Sequence, residues 1–144
     1  MRITEIDLQC LDIMWFAVDN NGNIFECTSA GCGNVPEYVC KSQEDTDTLV
    51  KYFTEKAPVI TTANLLIPKE DNDLVNDVTN LASKGIYCFD ITDYENDSEY
   101  TCIAKPEKPA NIKDFPKEIQ VLLSDHLYDG NIQNSETITV QHAY

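Results

Sequence analysis

Cys32 stands between two glycines, in Gly31-Cys32-Gly33, where a thiol on flexible backbone could serve as a nucleophile with His126 or His142 as its base. Such a thiol must ionise easily, which takes a helix N-terminus or a neighbouring cation. The nearest cation in sequence is Lys41, while Glu26 and Glu37 oppose ionisation. No Cys-x-x-Cys occurs, and no protease or oxidoreductase signature surrounds Cys32. The plainer reading is a small cysteine packed in a tight turn, so no catalytic residue is assigned.

Other constellations are weaker still. Cys27, Cys32 and Cys40 are separated by four and seven residues, which misses the short spacing of structural zinc knuckles, and neither histidine lies near them. Asp19-Asn20-Asn21-Gly22-Asn23 superficially resembles a calcium loop. Its glycine is fourth rather than sixth, and Ala30 occupies the twelfth place where a bidentate Glu belongs. Asp90, Asp93, Glu95, Asp97 and Glu99 crowd ten positions. A glycosidase needs two carboxyls set across a cleft, one in an apolar pocket, whereas these read as a solvated loop. No Walker loop, Gly-x-Gly-x-x-Gly, His-Glu-x-x-His or Gly-x-Ser-x-Gly is present. No metal or other cofactor is therefore expected.

The acids matter more as a field than as catalysts. Twenty-five Asp+Glu face ten Lys+Arg, a net charge of −15 over 144 residues. That charge repels phosphate backbones and anionic lipid, which argues against nucleic acid and membrane as partners. Glu44, Asp45 and Asp47 open a predicted helix, and Asp93, Glu95 and Asp97 form a second anionic patch. Tyr38, Tyr52, Tyr94 and Tyr100 lie among these acids, and tyrosine is enriched at interface hot spots. The pattern fits a surface that steers a basic protein, such as a nuclease with a cationic groove, into contact.

The run Trp15-Phe16-Ala17-Val18-Asp19-Asn20-Asn21-Gly22-Asn23-Ile24, followed by Gly31-x-Gly33-x-Val35-Pro36-Glu37-Tyr38, resembles small acidic bacterial α+β proteins, some of them grouped with immunity proteins of toxin systems. The resemblance covers about the first third of the chain and carries no catalytic motif. It implies an α+β fold and an inhibitor of a protein partner, without assigning residues.

The elements that must position these groups follow from periodicity. Asp12–Val18 is apolar on both alternating faces, the pattern of a strand covered on both sides. With Ile24–Thr28 it predicts a hairpin turning at Asn21-Gly22 through a type I′ turn. A helix starting at Ser42 carries the stripe Leu49, Val50 and Phe53 and stops before Pro58, after which Val59–Thr62 reads as a short strand. A second helix spans Asn72–Lys84 with Leu74, Val75, Val78, Leu81 and Ala82 on one face and Gly85 after its end. Ile86–Ile91 and Glu99–Ala104 read as strands. A third helix begins at Phe115-Pro116, buries Ile119, Leu122, Leu123 and either His126 or Leu127, and ends by Gly130. Glu136–His142 alternates as a half-exposed strand.

These elements sum to one α+β domain over residues 1–144: a mainly antiparallel sheet of about five strands, with about three helices packed on one face. The acids in Met1–Cys10 interrupt any apolar leader, so the chain reads as cytoplasmic, with six reduced and mostly buried cysteines. The leading expectation is a non-enzymatic interaction domain. The alternatives are a small thiol enzyme using Cys32, and a self-associating subunit whose strand 12–18 is covered by a homodimer.

Overall fold

The computed structural model describes residues 1–144. Six strands form one mixed sheet: β1 (Met14–Val18), β2 (Ile24–Thr28), β3 (Ala63–Leu65), β4 (Tyr87–Asp90), β5 (Glu99–Pro106) and β6 (Thr137–Thr139). Across the sheet the order is β1-β2-β4-β5, with β3 and β6 both pairing the far side of β5 at its two ends. Every pairing is antiparallel except β2 with β4, which run parallel through Glu26↔Cys88 and Cys27↔Phe89. The expectation of antiparallel neighbours thus fails at the centre. The crossover from β2 to β4 carries three α-helices and β3 on the way, and a connection that long permits parallel pairing.

Five α-helices, rather than three, surround the sheet: α1 (Glu5–Cys10), α2 (Glu37–Cys40), α3 (Gln43–Lys51), α4 (Asp73–Ser83) and α5 (Lys117–Ser124). They lie on both faces, not one. On the first, Trp15, Phe25, Phe89 and Tyr100 pack against Leu8 of α1, Val39 of α2 and the C-terminal Ile132, Ile138 and Val140. On the second, Phe16, Ile24 and Cys88 meet Leu49 of α3, Val78 and Leu81 of α4, and Leu123 of α5. Strand 12–18 is apolar on both sides because this chain covers both, and no second copy is required. No helix is long and apolar enough to cross a membrane.

The hairpin forms where predicted, by a different turn. Five residues separate Val18 from Ile24, which pair directly. Gly22 alone has positive φ, whereas a type I′ turn needs it at both central residues. Asp19 supplies the closure instead. Its buried carboxylate accepts from the backbone N–H groups of Asn21, Asn23 and Ile132 and from the Asn23 side chain.

Ser42 caps α3 by accepting from the Asp45 N–H, and Asn72 caps α4 in the same way through Val75. A π-helical turn, Tyr52–Lys56, extends α3 toward Pro58. Val59–Thr62 forms no strand. The N–H groups of Ile60 and Thr61 both donate to Ser83 O, which fixes this segment on the end of α4, and the strand begins at Ala63. Leu74 is exposed rather than part of the buried face of α4. Gly85 (φ +91) must be glycine, because a Cβ there would lie 2.5 Å from the Ala110 nitrogen. All six cysteines are free thiols, four of them buried.

Candidate functional site

The sheet and its helices leave most of the acids exposed and few of them ion-paired. Three ion pairs form in the entire molecule: Met1 N-terminus with Glu44, Arg2 with Glu37, and His142 with Asp97 at 3.4 Å. Lys84, the one buried lysine, spends its charge on the carbonyls of Phe53 and Thr54 at 2.7 and 3.0 Å. The remaining lysines make no ion pair, so little positive charge offsets the acids locally.

The predicted surface residues divide as follows. Glu44 and Asp47 are exposed and Asp45 is half-buried on the first turns of α3. The amino terminus holds the Glu44 carboxyl below its ordinary range. Tyr52 is half-buried against Phe53 and Phe115. Asp93, Tyr94 and Glu95 are exposed on the loop between β4 and β5, with Tyr94 at 69% exposure. Asp97 is half-buried where it meets His142. Tyr100 leaves the candidate surface altogether. It is fully buried, edge-on to Trp15, and its hydroxyl donates to Asn34 O at 3.0 Å. Its place on an alternating strand beside Thr101 carried that signal, which its acidic neighbours obscured.

A cavity that the sequence did not reveal lies beside the C-terminal segment. It measures about 490 Å³ and is walled by α2, the turn Leu127–Asp129 and the final segment Thr139–Ala143. Tyr38 and Tyr128 supply aromatic walls and Leu127 an exposed apolar lip, while Glu37 and Asp129 supply carboxylates. Burial, and then the nearby Cys27 and Tyr128, drive the Tyr38 phenol well above its ordinary range, so it stays neutral. The ring of His126 contacts Tyr38 at 5.7 Å, and its Nδ1–H donates to Phe16 O at 2.8 Å. Burial lowers the His126 pKa despite the pull of that carbonyl, Asp45 and Asp125, so the ring is held neutral. His126 is therefore a neutral strut between Tyr38 and the backbone of β1. His142, which lines the cavity, is paired with Asp97.

The thiol loop gives a separate small cavity of about 150 Å³, in which Cys32 and His142 both take part with Leu8 and Tyr144. His142 Nε2 lies 3.1 Å from Ser98 Oγ. The Cys32 thiol points to Ala30 O at 3.7 Å. Its pKa is raised by burial first, then by Asp97, Asp12 and Asp90, the reverse of what a nucleophile needs. Cys27, Cys32 and Cys40 do not converge with any histidine or acid as a metal-ligand group.

One carboxyl is placed apart from the rest. Glu26, in the middle of β2, is fully buried; Oε1 accepts from the Thr28 hydroxyl at 2.6 Å and Oε2 has no partner. Burial pushes its pKa up to about 8, with the negative field of Asp90 and Asp77 adding to that effect. No family model, no curated protein and no solved structure matches this chain.

Proposed function

We propose that this chain is a non-enzymatic, acidic protein-interaction domain of a bacterial cytoplasm, which binds and blocks a basic protein in the manner of an immunity-type inhibitor. The observation that carries the reading is the near-absence of internal neutralisation: three ion pairs against 25 carboxylates. Unpaired surface charge contributes little to folding and costs self-repulsion, but it accelerates encounter with a cationic partner by long-range steering. The interaction face consists of Glu44, Asp45, Asp47 and Tyr52 on one side, and Asp93, Tyr94, Glu95 and Asp97 on the other. The free, mostly buried thiols agree with a reducing compartment. The test is capture of partners from the native host at low and high salt. A basic protein retained at low salt and released at high salt is expected; recovery of only salt-indifferent partners, or none, overturns the reading.

A second reading has one observation in its favour, the shared cavity of Cys32 and His142. It would make the chain a small thiol enzyme. Its test is the alkylation rate of Cys32 in the folded protein at pH 7. The raised thiol pKa predicts a rate below that of a free peptide thiol, an outcome that ends the thiol reading.

A further inference from the structure

We infer that the cavity between α2, the Leu127–Asp129 turn and the C-terminal segment receives an arginine or lysine side chain projecting from the basic partner. This rests on the acidic-docking reading and gives it a specific pocket. A long cationic side chain has an apolar stem and a charged head, and it binds best where the walls are apolar or aromatic and the far end is anionic. The cavity offers both kinds of surface. Leu127, 55% exposed, forms the lip; the rings of Tyr38 and Tyr128 form the walls; the exposed Asp129 carboxylate supplies negative charge, while that of Glu37 is taken up by Arg2.

Three features separate this cavity from a merely acidic surface. No lysine lines it, and the one arginine nearby, Arg2, is bound to Glu37 through both guanidinium nitrogens, at 2.7 and 2.6 Å, so it is not free to fill the space. Tyr38, its ring held between Trp15 and His126, makes no hydrogen bond of its own and remains neutral, which leaves its hydroxyl oxygen able to accept from a cation's N–H. The volume of about 490 Å³ lies within the range of pockets that enclose a small ligand.

The experiment is a titration of the isotope-labelled full chain, followed by backbone amide shifts at low ionic strength. The probe is an acetylated, amidated heptapeptide alternating arginine and serine, compared with its citrulline counterpart. Expected are shifts at Tyr38, Leu127, Tyr128, Asp129 and Val140–Ala143 with the arginine peptide and none with citrulline. Leu127→Ser and Asp129→Asn alter exposed positions, so the fold survives, and each should weaken binding about fivefold to tenfold. Arginine-dependent shifts confined to α3 or the 93–97 loop, or affinity unchanged by both variants, would overturn the cavity while leaving acidic docking intact. Equal binding of the citrulline peptide would overturn recognition of charge at the cavity. Absence of any shift would overturn both readings.

Discussion

Glu26 holds a carboxyl group beyond the reach of water, between Phe16 on β1 and Cys88 on β4, with Asp90 and Asp77 adding repulsion. Its folded-state pKa, about 8, is raised above the ordinary 4.5. Its contribution to stability is therefore complete below about pH 4.5 and is lost as pH climbs toward 8, on the order of 1.4 kcal/mol per pH unit. Glu26→Gln keeps the shape without the charge and is expected to raise stability at pH 8 and flatten that slope. Denaturant melts of both proteins at pH 5 and pH 8 check this; parallel losses would refute it. Asp19 is buried too, and its carboxylate accepts from four donors. Asp19→Ala strands three N–H groups and should cost roughly 3 kcal/mol, readable in the same melts. Sequence inspection attributed that turn to Asn21-Gly22, because a short-range pattern shows where a chain reverses but not that Ile132, more than a hundred positions away, needs an acceptor there. Tyr100 was misplaced for a related reason: Glu99 and Thr101 beside it lie on the half-exposed side of a strand whose other side is core.

At the level of elements, Lys84 explains how the π-helical end of α3 is tolerated. A π turn leaves carbonyls without regular partners, and the Lys84 ammonium takes those of Phe53 and Thr54. Lys84→Met would keep the apolar stem and lose both bonds. It is expected to destabilise by about 1–3 kcal/mol and lower the melting temperature by several degrees in calorimetry. The three longer helices, the hairpin and strands β4 and β5 were legible because their stripes run for two turns or more, or alternate cleanly, next to proper caps. Helices α1 and α2 span six and four residues, too short for a 3.6-residue period to show. The Thr4–Asp7 capping box was the available signal for α1. The parallel β2–β4 pairing left no local trace at all, since strand neighbours are chosen by packing across the whole sheet. The cavity was hidden for the same reason, being assembled from three distant segments.

For the molecule as a whole, two opposed titrations bracket the stability optimum. Asp77 and Asp90, raised by burial, act in the same sense as Glu26, favouring the fold as pH falls. His126, lowered by burial, acts the other way: its contribution is present above the ordinary 6.5 and lost as pH drops through the lowered value. Asp7, Glu37 and Glu44, all held low by their partners, add a further loss below the usual carboxylate range. Greatest stability is thus expected on the acid side of neutrality, with melting temperature declining toward pH 8; a monotonic rise to pH 8 would contradict it. Because the net charge is −15, raising salt from about 0.01 to 0.5 M at pH 8 should also raise the melting temperature, by screening self-repulsion across a shortened Debye length. The same closed body brings the two chain ends together: Arg2 Nε donates to the Tyr144 hydroxyl at 2.8 Å, which in turn donates to Ile3 O at 2.6 Å. A short linker could therefore fuse Tyr144 to Met1, and the backbone could be reopened at exposed Glu95 to give a circular permutant in which every strand stays whole.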